Sequence, residues 1–380
     1  MVLPSSTNTL IVGGGLSGLM AAWHLHRAGR TVHLVEARTR FGGRILTTAE
    51  HTCDLGPSWF WPGQPLIARL ITHFGLEAYD QFADGITLHQ RADGYVQPMM
   101  PTSPMAGAFR LRGGLQALVD ALAADLPRDT YTLGCNVTGI TRDAEGVRVT
   151  IAAPTGSVSI TAKRVALAIP PRLAGSLTFT PDLPPAALAS LQATPTWMAG
   201  HAKFFAVYER PFWREQGLCG SAISQRGPLA EIHDASTPDG AYSLFGFVGL
   251  DGDRRAILGP KAVTEQAMVQ LGALFGPPAK QPIATFLQDW SVESFTAHAT
   301  DRVPQTRHPQ YGLDLRLDAP WARRLAFISS ETSFTNGGLV EGALESGLAY
   351  AQDVIGAATS EASSDAEHEP HKASMGWDWL

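Results

Sequence analysis

The chain has 380 residues, with 38 glycines, 26 prolines, 17% charged and 44% hydrophobic residues. That is too apolar for a disordered chain and long enough for one large or two intertwined domains with a buried core. A formal net charge of −6 argues against a nucleic-acid binder, which needs a basic face. The glycines follow no collagen period. Three scattered cysteines, Cys53, Cys135 and Cys219, form neither a disulfide framework nor a CxxC pair, which predicts a reducing, cytoplasmic setting. No apolar run approaches the ~18 residues of a membrane span. Residues 1–10 lack the basic start of a signal peptide, and no cluster has metal-ligand spacing.

Residues 9–12 are a short apolar run ending in glycines and read as a buried parallel strand. From Gly18 to Ala28 the spacing is helical, with Leu19, Ala22, Trp23 and Leu25 facing inward and Gly29 ending the helix. Residues 31–35 form a second strand, so the chain opens with a βαβ unit. Helices are expected over 64–74, 113–126, 262–275 and 340–356. Strands are expected over 131–137, 147–151 and 158–169, the last halted by Pro170-Pro171. Residues 200–250 also read as strands. From Ala357 the composition turns to Ser, Glu, Asp, Ala and His, which predicts a disordered tail over 358–380. Trp377 and Trp379 are unusual in such a tail.

Gly13-Gly14-Gly15-Leu16-Ser17-Gly18 is a GxGxxG that follows a strand and opens a helix, the context of a dinucleotide site. Gly13 makes the tight turn, Gly15 admits a pyrophosphate to the backbone, and Gly18 lets helix and strand pack closely. The helix N-terminus, with Leu16 and Ser17, then faces the phosphates. Glu36, followed by Ala37 and Arg38, ends the second strand, where an acid accepts hydrogen bonds from the adenosine ribose. NAD and FAD share this fingerprint.

Arg40-Phe41-Gly42-Gly43-Arg44 separates them. This RxGGR pattern resembles the flavin-containing amine oxidase family, which includes monoamine and polyamine oxidases. Its glycines let backbone approach a flavin, and its two arginines suit pyrophosphate charge. The resemblance runs over residues 8–356. Asp54-Leu55-Gly56-Pro57-Ser58-Trp59 looks like the family's DxGxxW loop beside the flavin, and Arg112-Gly113-Gly114 like its next glycine pair. Val137 matches a strand residue packed at adenine, and Ala168-Ile169-Pro170-Pro171 the AxP strand end. Ser330-Glu331-Thr332 resembles the family's ribityl segment. Gly337 to Gly347 resembles a helix start whose N-terminus, with Leu339 and Val340, would stabilise negative charge on reduced flavin.

The resemblance implies an α/β fold, with a Rossmann-like FAD-binding domain of two-dinucleotide-binding type from residues 5–56, 107–172 and 319–357. An interleaved α+β substrate domain with a mixed or antiparallel sheet would come from 57–106 and 173–318. It also implies oxidation of a small-molecule amine by hydride transfer to flavin N5, with O2 or another acceptor taking the electrons. Lys203, inside the apolar run 200–208 and before Pro211-Phe212-Trp213, is costly to bury without a partner and matches the family lysine that holds a water at flavin N5. Trp290 matches a tryptophan at the flavin ring. No cysteine follows it over 295–300, so FAD should be non-covalent, His298 being the only other linkage candidate. Thr300 and Leu339 stand where the amine oxidases frame their substrate with tyrosines. Trp61, with Trp59, would line the entrance. The stretch between Trp59 and Arg112 is short for this family, which leaves the site open or closed by a second subunit of a homodimer. His233, Asp234 and Glu293 are acid–base candidates, with His233 expected in a solvated loop. Two other readings stay open: a C–C desaturase of a hydrophobic substrate, and a flavin-binding partner protein without turnover.

Overall fold

The structure, a computed structural model, describes residues 3–153, 156–303, 305, 307–313, 315, 317 and 319–364, and side chains up to Ala357. The chain opens with β1 (Ser6–Val12), α1 (Leu16–Arg27) and β2 (Val32–Glu36). Leu19, Ala22, Trp23 and Leu25 are all buried on α1, and Gly29 adopts φ 68° just past its end. Next come α2 (Pro65–His73), β3 (Ala78–Asp80), β4 (Asp84–Gln90), β5 (Val96–Thr102), β6 (Phe109–Leu111) and α3 (Gln116–Ala124). The expected strand over 131–137 is split at Gly134 into β7 (Tyr131–Leu133) and β8 (Asn136–Arg142), followed by β9 (Val147–Ala153) and β10 (Gly156–Leu167). Then follow α4 (Pro171–Ala174), β11 (Thr178–Thr180), α5 (Pro185–Ala193), β12 (Ala202–Tyr208), α6 (Phe212–Glu215), β13 (Leu218–Ser224), β14 (Leu229–Asp234) and β15 (Tyr242–Val248). The chain continues through α7 (Gly252–Phe275), β16 (Ala284–Asp289), β17 (Leu325–Phe327) and α8 (Val340–Ser364).

Two large sheets organise these elements. The first runs β11-β8-β9-β10-β1-β2-β7, with β17 also on β10. The pairs of β1 with β10 and β2 are parallel, as a βαβ start requires. The helices α1, α2, α3 and α8 pack on one face of this sheet. The second sheet runs β16-β12-β15-β14-β13-β4-β5. It is antiparallel except where β13 meets β4, which agrees with the mixed sheet expected for the substrate domain. α7 covers its outer face. A small aromatic cluster of Phe205, Phe245, Cys53 and Leu55 joins its inner face to the first lobe.

Three expectations change. β11 belongs to the first sheet through β8, so that lobe extends past residue 172. α7 begins at Gly252, ten residues before the expected start; non-helical backbone at Gly259 (φ 76°, ψ 158°) and Pro260 interrupt it. α8 continues to Ser364, seven residues into the stretch expected to be disordered, because Ala358, Glu361 and Ala362 are good helix formers. Trp377 and Trp379 lie outside the described residues. All three cysteines are free and buried. Among the described residues, no helix is long and apolar enough to cross a membrane.

Candidate active site

A cavity of about 1270 Å³ runs between the two lobes. One end is built by the glycine turn. Gly13 sits at φ 109°, and a Cβ there would meet the Ala168 carbonyl oxygen at 2.6 Å. A Cβ on Gly18 would lie 2.0 Å from the Gly13 oxygen. Gly18 therefore serves close packing and does not line the cavity. Gly15 is different. A Cβ there would approach nothing nearer than 3.9 Å, so its backbone faces open space. No side chain caps α1 at Gly15, which leaves the first N–H groups of that helix, at Leu16 and Ser17, directed to the cavity.

Glu36 is 4% exposed and sits at the C-terminal end of a parallel strand, where α/β sheets bind ligands. Its carboxylate accepts from Gly14 N at 2.6 Å and Arg38 N at 2.7 Å. Ala37, Arg38 and Val137 line the cavity beside it. Arg38 donates to Glu293 (3.2 Å) and Thr296 (2.9 Å), pinning that segment at this end. Glu293 is thereby an ion-pair partner and no free acid.

The two arginines of the RxGGR loop divide their work. Arg40 donates to the carbonyls of Phe41, Gly43 and Ile45; it braces the loop and does not line the cavity, against the expectation of a phosphate ligand. Arg44 does line it, with Gly42 and Gly43. Glu331 holds Arg44 in a bidentate pair at 2.6 and 3.1 Å, and Ser330 adds a bond at 3.0 Å. Glu331 itself is fully buried and does not reach the cavity surface. Burial works against its charge, but Arg44 and Ser330 more than offset this and hold its pKa below the ordinary range.

The other end is built by the loop Gly56-Pro57-Ser58-Trp59, by Trp61, Trp290, Leu339 and Val340, and by the inner face of the second sheet. α8 starts at Val340 and crosses close over α1, where a Cβ on Gly347 would lie 2.3 Å from the Ser17 oxygen. Trp290 donates Nε1–H to the Leu55 carbonyl at 2.9 Å. Lys203 is on β12, flanked by β15 and β16. It is 4% exposed, on the same face as Phe205 and Val207. Its Nζ donates to the carbonyls of Asp54 (2.9 Å) and Gly56 (2.7 Å) and to Ser58 Oγ (2.7 Å). All three ammonium hydrogens are spent on the loop, so the lysine clamps it and holds no N–H for the expected water. Phe245, 4.2 Å from Nζ, and the rings of Phe247, Phe205 and Trp59 surround it. Burial pushes its pKa down to about 7, against the pull of the Asp54 carboxylate.

Four candidate residues fall elsewhere. Thr300 is exposed and hydrogen-bonds His298 in a capped turn; it does not line the cavity, which Ser294, Phe295 and Thr296 reach instead. His298 also lies outside. His233, expected in a solvated loop, is fully buried on β14, because its strand is covered on both sides. Asp234 is structural, accepting from Trp213, Arg214 and Ser236 N.

Glu231, Phe247, Trp197 and His201 line the cavity and were not singled out in the sequence. Alternation along β14 and β15 was the only signal for Glu231 and Phe247, and Trp197 and His201, in the turn before β12, carried none. Glu231 accepts from His233 Nε2 at 2.8 Å. That hydrogen bond keeps its carboxylate below the usual pKa range despite burial. Among the described residues no group of His, Cys, Asp and Glu could hold a metal.

The family model for flavin containing amine oxidoreductase matches residues 16–97 and 88–355. The chain is 24% identical to the probable flavin-containing monoamine oxidase A of Dictyostelium discoideum, over 91% of this chain and 97% of that one. It is 25% identical to a putrescine oxidase of Kocuria rosea (92% and 95%) and to an L-amino acid dehydrogenase of Synechocystis (94% and 96%). Among solved structures, putrescine oxidase bound to putrescine superposes with a TM-score of 0.78 at 22% identity, covering 92% of this chain and 99% of that one. Cyclohexylamine oxidase from Brevibacterium oxydans gives 0.77 at 20% identity, over 94% and 100%. The chain therefore belongs to the flavin-containing amine oxidoreductase family and is an FAD-dependent oxidoreductase acting on amines.

Proposed function

We propose that the protein oxidises the C–N bond of a small amine to the imine, with FAD held non-covalently along the cavity and O2 as the electron acceptor. The observation that carries this is the continuity of the cavity. One void joins the uncapped α1 N-terminus and Glu36 to the aromatic face around Lys203. The residues fit the cofactor. Gly15 leaves the cradle that a Cβ would fill, Glu36 is placed for the adenosine ribose, and Arg44 is the paired cation between the two ends. Gly56 to Trp59, Trp290, Leu339 and Val340 would hold the ring end. FAD, when bound, supplies the two-electron acceptance, taking hydride from the amine carbon at N5.

The chain's own side chains position and dry the site. Lys203 fixes the loop 54–58 through its three hydrogen bonds. Trp59, Trp290 and Phe247 exclude water from the reacting carbon. The amine must arrive unprotonated, so turnover rises with pH toward the amine's own pKa. Cys135, the lining thiol, sits beside Val137 at the Glu36 end, far along the chain of contacts from the ring end, which supports a non-covalent cofactor. An amino-acid substrate is less well served. The cationic side chains among the described lining residues, Arg38, Arg44 and Lys203, are each already paired, so no free cation awaits a carboxylate.

The test is the visible spectrum before and after acid precipitation, followed by anaerobic mixing with an amine panel. Flavin colour in the supernatant, bleaching by amines and peroxide on readmitting air are expected. Colour retained in the pellet overturns the non-covalent assignment. A flavin that no amine bleaches overturns the activity.

A further inference from the structure

The saturation of Lys203 leaves the ring end of the cavity without the ammonium donor expected there. All three of its hydrogens go to the loop 54–58. Two indole N–H groups of the same wall are also engaged, Trp59 with Gln81 at 2.8 Å and Trp290 with the Leu55 carbonyl at 2.9 Å. A flavin ring that accepts electrons gains negative charge, and a preorganised donor beside it in a dry site stabilises that charge.

His201 stands two residues before Lys203. Its carbonyl accepts from Trp290 N at 3.0 Å, which carries the pairing of β12 with β16 one residue beyond Ala202 and keeps the chain extended there. Residues two apart on an extended strand point to one side, and both His201 and Lys203 line the cavity. The turn that delivers His201 is strained: Met198 has φ 62°, and its carbonyl accepts from His201 N at 3.1 Å. Strain of this kind persists where the surroundings over-determine it, and it clusters at functional sites. The turn also abuts the start of α8, since a Cβ on Gly338 would lie 3.2 Å from Trp197 Cβ. It thus bridges Trp290 and the start of α8, two segments of the ring end. On the imidazole, Nδ1 is enclosed and has no partner among the described residues, so the Nε2 edge is the one turned to the cavity. Burial and the nearby Arg255 charge push the pKa down to about 4, so the ring is neutral and carries one N–H. Buried N–H groups without an acceptor are rarer than buried acceptors without a donor. That places the hydrogen on Nε2 and a bare lone pair on Nδ1.

We propose that His201 is a catalytic residue: its Nε2–H is a side-chain donor that meets the flavin ring and stabilises the negative charge the ring gains on accepting electrons from the amine. The inference rests on the reading of the cavity as an FAD site that oxidises amines, and deepens it. The hydrogen stays on Nε2 throughout, so the contribution is a hydrogen bond and no proton changes place. The work is divided along one strand: Lys203 fixes the loop 54–58, and His201 supplies the donor.

The experiment is an anaerobic dithionite titration of the holoenzyme with a reference redox dye, which reads the equilibrium between oxidised and reduced bound flavin. In His201→Leu, and in His201→Phe, which keeps a ring and loses the N–H, that equilibrium should move toward oxidised flavin by roughly ten- to a hundredfold, the worth of one hydrogen bond to a charged acceptor. His201→Gln keeps an N–H donor and should recover part of the shift. The oxidised ring carries no such charge, so the dissociation constant of oxidised FAD should change by less than about threefold in the same variants. A dye equilibrium within threefold of wild type in both the Leu and the Phe variant refutes the donor. An equal loss of affinity for oxidised and reduced cofactor refutes it too, since packing alone would act on both. The titration uses no amine, so a wild-type flavin that no amine bleaches would overturn the functional reading and leave this measurement standing.

Discussion

Replacing Lys203 by methionine separates a clamp from a bystander. The substitution keeps an unbranched side chain one atom shorter and removes three hydrogen bonds to the loop 54–58. Bonds from a charged donor contribute ~1.5–3 kcal/mol each, or roughly 5–9 kcal/mol together. Against this stands the cost of burying the ammonium. The fall of its pKa from 10.5 to about 7 corresponds to about 5 kcal/mol. The two nearly offset, so K203M should lose only about 2 kcal/mol. With an unfolding entropy of ~2.1 cal/mol/K per residue, that lowers Tm by roughly 3 °C. The loop, in contrast, loses its anchor, and misplacement of about 1 Å at a reacting centre costs on the order of a hundredfold in rate. Anaerobic stopped-flow should therefore find flavin reduction slowed about a hundredfold in a protein that melts almost normally. The pH dependence follows. The unfolded chain keeps this proton to 10.5 while the folded one releases it near 7, so the unfolded state binds more protons in between. Wild-type stability should gain on that of K203M as pH rises from 7 to 10.5, and an ionisation near 7 in the reduction rate should vanish in the variant. A reduction rate within threefold of wild type would refute the clamp's role in the site.

Three further outcomes are expected. Glu331→Gln leaves Arg44 without its buried partner, which costs ~3–5 kcal/mol; Tm should fall by about 4–6 °C and flavin should wash out faster on gel filtration. Because Glu331 titrates below its ordinary pKa when folded, the difference from wild type should be present near neutrality and fade as the pH falls through the carboxylate range; a constant gap would contradict the pairing. Gly18→Ala places a methyl 2.0 Å from the Gly13 oxygen, an overpacking of at least ~1–3 kcal/mol, so the purified protein should carry little flavin, and normal flavin content with normal Tm would count against the close helix–strand contact. Cys53 is 1% exposed, and burial pushes its thiol up to about 12; with Cys135 and Cys219 also buried, an aromatic disulfide reagent at mildly alkaline pH should label no thiol before denaturation and three after it, whereas rapid native labelling would disprove the burial.

The parts of this molecule that sequence exposes are those whose geometry is local. The glycines at 13, 15 and 18 answer constraints within one turn, and Lys203 stands out because an ammonium in an apolar strand needs a nearby reason. Elements built from distant partners were not legible. β4 and β5 carry Gly85, Pro98 and Pro101, which break the usual strand signature; β5 accepts its prolines because it is the outer strand of its sheet. Arg40 and Arg44 look equivalent in the motif, and only the fold turns one inward to carbonyls and the other to Glu331. Thr300 was placed by its match to a position where the amine oxidases frame their substrate, but the capped turn over Ala299–Asp301 directs it outward.

The same distinction explains why the cofactor end and the substrate end differ in how they can be read. The cofactor end is a backbone site: uncapped N–H groups, a strand terminus and positions where only hydrogen fits, each tied to one short segment. The substrate end is a side-chain site assembled across strands. Three of its wall residues, Lys203, Phe247 and Glu231, lie apart in the chain and become neighbours only through register. A one-residue slip of β14 would send Glu231 to the opposite face of the sheet and leave His233 and Trp59 without their contact. The register of β14 on β15 is thus what decides which β14 side chains face this cavity, and it is held by residues that do not line it, among them Asp234, whose carboxylate gathers Trp213, Arg214 and the Ser236 N–H at the end of the strand.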